Sequence, residues 1–329
     1  MKIICYGVIK MEESRIENWA QKNNVEVKIV HADLCAENAE LAEGFDGVSS
    51  EGNLPVGASV YEKFKQYGIT QLAIRQVGVD NQDLAAAKKN GIKITNVAAY
   101  SPRAIAELGV TDAMYLLRKI GIYQDRMAHG DFTYDESTIS TEIFNCTVGI
   151  IGAGHIGGAS AHLYSALGAK VLACDPVYDA SLEPYLTYTD FDTILAESDI
   201  ISLHTPLLAS TENMIDKTAF DKMKKKPILV NVARGGLVDT QALIAALKNG
   251  QISAAALDTL ADETDFYNKK DMLNSLPADY KELKAMPQVL ITPHIAFFTK
   301  LAVKNSIEIA LNDAKTIISG GEVKSVVNL

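Results

Sequence analysis

The feature that most constrains this chain is a glycine-rich turn, Gly152-Ala153-Gly154-His155-Ile156-Gly157, lying between an apolar run, TVGII, and a helical pattern, ASAHLYSALGA. A lone GxGxxG carries little weight, but a strand before it and a helix after it give each glycine a task. Gly152 permits the tight turn, Gly154 lets the backbone approach a pyrophosphate, and Gly157 allows close packing of helix on strand. The helix N-terminus, with His155 and Ile156 in its first turn, offers unpaired N–H groups to the phosphates. The next apolar run, KVLAC, ends in Asp175, 18 positions after Gly157. A carboxylate there accepts hydrogen bonds from the adenosine ribose hydroxyls and repels a 2′-phosphate. The turn therefore predicts a dinucleotide site that prefers NAD to NADP.

The rest of the chain has the matching alternation. Runs at 2–8, 25–30, 47–49, 72–77 and 92–97 read as strands, with amphipathic stretches such as Glu12 to Lys22 and Asn81 to Lys89 between them. A second series follows at 147–152, 170–174, 199–204, 227–232, 254–258 and 288–293. Between the two series, Ser101-Pro102 opens a helical pattern running to about 120, with Ser as N-cap and Pro in the first turn. The fold class predicted is α/β, with two doubly wound parallel-sheet domains. The last thirty residues read as a helix over about 299–319 and a short polar tail. The expected limits are 1–100 plus 299–329 for one domain and 101–298 for the other.

Composition narrows the function. The chain has 329 residues, and Lys+Arg 31 against Asp+Glu 41 leaves a net charge of −10, a poor balance for a nucleic-acid partner. No apolar run approaches the roughly 18 residues needed to span a bilayer. The four cysteines show no CxxC spacing, so neither a disulfide framework nor a metal site is indicated. A cytoplasmic protein with a small-molecule substrate is expected.

Ligands of open α/β sheets sit outside the carboxyl ends of the strands. Polar residues just past the second series are His204, Arg234, Asp258 and His294, with Glu263 five residues beyond Asp258. Arginine grips a carboxylate or polarises a carbonyl with its fork of donors. Histidine moves a proton near neutral pH, and a carboxylate partner fixes its tautomer. These are the groups that hydride transfer to an oxo acid requires. His204, in LHTP with Thr205 and Pro206, is expected to line the cofactor cleft without proton chemistry.

Taken together, RQVGVDN (75–81), NVAAYSPRAIAE (96–107), TVGIIGAGHIG (147–157), VNVARGGLVDTQAL (230–243), ALDTLADE (256–263) and ITPHIAFFT (291–299) resemble the D-2-hydroxyacid dehydrogenase family. The resemblance is to its D-lactate and D-2-hydroxyisocaproate dehydrogenase branch and covers essentially the whole chain. It implies a Rossmann NAD-binding domain and a smaller, discontinuous, flavodoxin-like substrate domain, completed by the final helix. It implies that Arg234 orients the substrate, that His294 is the acid/base and that Glu263 is its paired carboxylate. The Val77-Gly78 backbone would receive the substrate carboxylate, with Tyr100 bordering the reacting carbon and Phe298 shaping the side-chain pocket. Val232 and Ala233 would line the cofactor site, and Asp258 would contact the nicotinamide side. The AYSPRAIAE segment would be a hinge helix, and the arm at 121–146 would contribute to a homodimer. Two positions depart from the common pattern: Gln76 stands where asparagine is frequent, and Gly158 where a long polar residue is common.

The resemblance also implies the D, or (R), product. The stretch SSEGNLPVGASVYEKF looks closer to the hydroxyisocaproate type, which favours branched or aromatic 2-oxo acids with pyruvate also accepted. A D-lactate dehydrogenase strict for pyruvate is the alternative. From another class, a dinucleotide-sensing corepressor-like protein shares the fold, although its long disordered tail is not seen here.

Overall fold

A computed structural model describes residues 1–328. The chain divides into two compact units. One comprises Met1–Ser101 and the residues from Phe298 onward, and the other is Pro102–Phe297. Ser101 and Phe298 thus join the first unit, one residue from the expected limits. The physical markers are Pro102, which opens a new helix, and Thr299, whose hydroxyl accepts the N–H of Ala302 and caps the last one.

The first unit holds a five-stranded parallel sheet of β1 (Lys2–Tyr6), β2 (Glu26–Ile29), β3 (Gly47–Ser50), β4 (Gln71–Ile74) and β5 (Lys93–Thr95), in the order β2-β1-β3-β4-β5. That is the flavodoxin-like arrangement, whose switch point lies between β1 and β3. The central strands are buried throughout, as all-parallel strands covered on both faces must be. The helix Lys300–Ile318 buries Val303, Ile307, Ala310, Leu311 and Ala314 along one face and packs on β3 and β4. Trp19 of the helix Glu13–Asn23 donates its indole N–H to Asn312 at 2.9 Å. The end of the chain thereby completes the core of its beginning.

Several elements of this unit differ from expectation. The strand expected over 72–77 leaves the sheet after Ile74, because Arg75 turns its guanidinium inward. Fully buried, it lies 3.2 Å from Glu51 and donates to the Tyr6 carbonyl at 2.9 Å. The helix expected from Asn81 begins only at Leu84, where Asp83 caps it through the Ala86 N–H. The polar tail is not idle: Val326 bridges Thr95 in antiparallel sense, and the Asn328 side chain accepts from the Ile94 N–H. It covers the open edge of β5, which would otherwise present unpaired backbone groups.

The second unit is a seven-stranded parallel sheet. Its strands are β6 (Thr147–Ile151), β7 (Lys170–Cys174), β8 (Thr187–Tyr188), β9 (Ile200–Leu203), β10 (Ile228–Asn231), β11 (Ala254–Leu257) and β12 (Val289–Ile291). The order β12-β11-β10-β9-β6-β7-β8 is the doubly wound Rossmann order with one strand added. Only the two-residue β8 escaped the sequence reading, being too short to show periodicity. The helix Pro102–Leu117 packs on β10 and β11 and on the helix His155–Ala166. It stops three residues before the expected end. Lys119 takes a left-handed conformation (φ 55°), and a new helix runs over Ile120–Ala128. That helix and two short 3₁₀ turns, Glu136–Thr138 and Ile143–Asn145, occupy much of the arm at 121–146.

Candidate active site

The glycine turn is built as its spacing requires. Gly152 has φ +89°, and a Cβ on Gly157 would stand 1.8 Å from the Gly152 carbonyl oxygen, so no side chain fits there. At Gly154, the N-cap of the helix His155–Ala166, an added Cβ would meet nothing within 4 Å. Open space in front of a helix N-terminus, with backbone bare of side chain, fits the approach of a pyrophosphate. Ile156 turns into the core beneath. Gly158 is buried, and a Cβ there would lie 3.0 Å from a Leu182 methyl, so a side chain at this position would need that leucine to give way.

Asp175 stands at the end of β7, as expected. Its carboxylate accepts the N–H of Ala153 at 2.7 Å and of Val177 at 2.7 Å, tying the strand end to the glycine turn. Each oxygen keeps a second lone pair for a ribose hydroxyl. His204 and Thr205 back the same turn, where a Cβ on Gly152 would strike both at about 2.9 Å. The His204 ring accepts or donates through Nε2 to Ser202 at 2.9 Å, and its Nδ1 is buried without a partner. Burial pushes its pKa down to about 3, so the ring stays neutral. Pro206 follows, and its carbonyl accepts from Thr211 at 2.7 Å.

Arg234, Glu263 and His294 follow three adjacent strands, β10, β11 and β12. Past β10, the buried side chain of Asn231 accepts the Ala233 N–H at 3.1 Å and donates to the Arg234 carbonyl at 2.8 Å. This clamp sets the turn through buried Val232 and presents the Arg234 side chain, whose Nη1 donates to the Ala233 carbonyl at 2.8 Å. The turn lies hard against the next one. A Cβ on Gly235 would sit 2.0 Å from the Leu260 carbonyl carbon and 2.2 Å from the Ala261 nitrogen. In that second turn, Glu263 Oε2 accepts the Leu260 N–H at 3.0 Å, and its Oε1 lies 2.7 Å from His294 Nδ1. With Nδ1 bound to a carboxylate, Nε2 is the nitrogen left to face a reactant.

His294 itself is strained, at φ 53°. The strain is held by Asp258, which is 1% exposed. One oxygen accepts the Thr292 hydroxyl at 2.5 Å and the Ile295 N–H at 2.9 Å, and the other accepts the Ala296 N–H at 2.9 Å. Asp258 was expected to contact the nicotinamide side. Its observed bonds shape the loop that carries the histidine. The aromatic ring of Tyr267 lies 5.4 Å from the imidazole and that of Phe297 lies 6.3 Å away.

In the first unit, the Gln76 carbonyl accepts the Val97 N–H at 3.0 Å and the Val77 carbonyl accepts from Asn96 at 2.6 Å. In a trans peptide the N–H points opposite to the carbonyl before it. The N–H groups of Val77 and Gly78 are therefore turned away from β5, as a carboxylate receiver needs. Tyr100 is buried, its carbonyl held by Asn305 at 2.8 Å, and Phe298 is 47% exposed.

Sequence reasoning missed Asn231, Gly235 and Tyr267, and with them the loop-holding bonds of Asp258. The small residues of NVARGG were a usable signal for two turns in close contact. The ring beside His294 had none, since it lies 27 positions away in a loop.

Residues 110–296 match the family model for the NAD binding domain of D-isomer specific 2-hydroxyacid dehydrogenases. The chain is 40% identical, over the full length of both, to a D-2-hydroxyacid dehydrogenase (NAD(+)) of Clostridioides difficile. Among solved structures it is similar to the NAD⁺ complex of D-lactate dehydrogenase from Lactobacillus jensenii, at 50% identity and TM-score 0.90 with 99% of each chain covered. It is also similar to a D-2-hydroxyisocaproate dehydrogenase, at 37% identity and TM-score 0.91 with both chains covered in full. Two parallel sheets of these orders, a glycine turn fit for a dinucleotide and similarity along the whole chain lead to one assignment: the protein belongs to the D-isomer specific 2-hydroxyacid dehydrogenases, NAD-dependent oxidoreductases acting on the CH–OH group of 2-hydroxy acids.

Proposed function

We propose that this enzyme reduces 2-oxo acids to (R)-2-hydroxy acids through Arg234, Glu263 and His294, and that it favours acids with branched or aromatic side chains over pyruvate. The observation that carries the chemistry is the 2.7 Å contact between Glu263 and His294 Nδ1. The turn 152–157, with Asp175 toward the ribose and the segments of His204 to Pro206 and Val232 to Ala233 beside it, would hold NADH, which would supply the hydride. Arg234 binds the oxo acid and stabilises the negative charge that develops on its carbonyl oxygen as hydride reaches C2. His294, protonated and held through Nδ1, delivers a proton from Nε2 to that oxygen. The Val77 and Gly78 N–H groups receive the substrate carboxylate, and Tyr100 borders the carbon being reduced.

Side-chain preference rests on the segment after β3. Gly52 lies against Gln76, and Asn81 ties the segment to the 76–81 loop by donating to the Gly52 and Asn53 carbonyls. The charged Glu51 is drawn onto Arg75. Phe298 adds an apolar wall. This supports a roomier fit than a methyl group needs. Identity of 50% with the L. jensenii D-lactate dehydrogenase favours a second reading, an enzyme narrow for pyruvate. NADH oxidation with pyruvate, 2-oxoisocaproate and phenylpyruvate, with NADPH as control, separates them. A tenfold or greater kcat/KM preference for the larger acids is expected, and a pyruvate preference would select the second reading.

The arm over 121–146 exposes Phe132, Tyr134, Ile139 and Phe144, each more than half accessible. Apolar side chains grouped in this way support its packing on a second copy, and light scattering should give a dimer. Coupling to NADH supports a cytoplasmic location. Among the described residues, no helix is long and apolar enough to cross a membrane.

A further inference from the structure

The turn that carries Glu263 does more than supply a carboxylate. It is a 3₁₀ turn over Glu263–Asp265, and the Tyr267 N–H donates to the Glu263 carbonyl at 2.6 Å. Carboxylate and phenol ring are therefore mounted on one short piece of chain. Phe266 anchors that piece by packing edge-on against Tyr280 of the helix Ala278–Lys284, with centroids 5.4 Å apart. The Lys269 ammonium ties it down again by donating to the Asp265 carbonyl at 2.8 Å. The Tyr267 ring then meets the His294 imidazole at 5.4 Å with the planes inclined by 56°. Phe297 stands near the same imidazole at 6.3 Å and 81°.

A single hydrogen bond at Nδ1 tethers one corner of the imidazole and leaves the ring free to pivot about that bond. A pivot of this kind swings Nε2 away from its target, and small errors of aim are costly in proton transfer. Aromatic rings at these separations are within interaction range. A π-face beside an imidazolium also attracts its charge.

We propose that Tyr267 is a positioning residue for the acid/base histidine, its ring blocking the pivot that Glu263 alone permits. The inference rests on the assignment of His294 as proton donor. Because the ring acts on the aim of Nε2, its loss should lower kcat more than it weakens binding. The phenol oxygen is not needed for this action, so phenylalanine should serve.

The test is a double-mutant cycle on the intact enzyme, with NADH and the best 2-oxo acid as substrates. Tyr267→Leu should lower kcat on the order of tenfold, with NADH affinity by fluorescence unchanged. Tyr267→Phe should recover most of that loss. In a His294→Gln background, Tyr267→Leu should cost little further residual turnover, because the residue it positions is gone. The proposal is overturned if Tyr267→Leu keeps full kcat, if Tyr267→Phe is equally impaired, or if the loss is the same in both backgrounds. An intact chain that turns over no 2-oxo acid would remove the site assignment along with the proposal.

Discussion

Glu263 and His294, 31 positions apart, meet at 2.7 Å because two strand-end loops converge on them. The carboxylate is held by the Leu260 N–H, and the imidazole sits on a left-handed residue that Asp258 stabilises through three bonds. Both members of the pair are therefore held by the backbone around them, which suits the proposed general acid role.

Replacing Glu263 with glutamine keeps the shape and removes the charge. Turnover for reduction should fall on the order of 10²-fold. Single-turnover and steady-state rates of wild type and Glu263→Gln, measured side by side, check the size.

Arg234→Lys retains a positive charge but not two parallel donors. The kcat/KM for a 2-oxo acid should fall on the order of 10²-fold. NADH affinity should stay the same, as read by fluorescence titration.

Gly235→Ala places a methyl group 2.0 Å from the Leu260 carbonyl carbon, where only backbone could yield. The turns bearing Arg234 and Glu263 would have to part. A loss of about 1–3 kcal/mol in stability is expected, together with a drop in kcat. Chemical denaturation and turnover on the same samples report the two effects together.

Asp112, 3% exposed on the helix Pro102–Leu117, gives a pH prediction. Burial, with the Asp258 carboxylate nearby, pushes its carboxyl up to about 7. The unfolded chain gives up this proton near pH 4. From there to about pH 7, rising pH favours the unfolded state, and the stability cost is largest above pH 7. Asp112→Asn should therefore raise Tm by about 2–4 °C at pH 8 and by less at pH 5. Equal shifts at both values would show that the carboxyl does not titrate in this window.

Much of the architecture could be read before any coordinates. Parallel strands buried on both faces leave continuous apolar runs such as ILV and AAAL, and the glycine turn marks where the second sheet begins. The ends of elements were less legible. Nothing local says that Arg75 will bury its charge and end β4 early, because the Tyr6 carbonyl and Glu51 that receive it come from β1 and from just after β3. Lys119 gives no hint of its left-handed turn. The strand-end residue types pointed to Arg234 and His294. The placing of Asp258 under the histidine loop depends on β11 and β12 lying side by side, which is a fact of topology and not of spacing.

The central claim is that His294 carries the proton. The direct test is turnover of 2-oxo acids by His294→Gln, with NADH binding measured on the same protein. The account predicts intact NADH binding and a kcat lowered on the order of 10²–10⁴-fold. Turnover at the wild-type rate would contradict it and would require another proton donor.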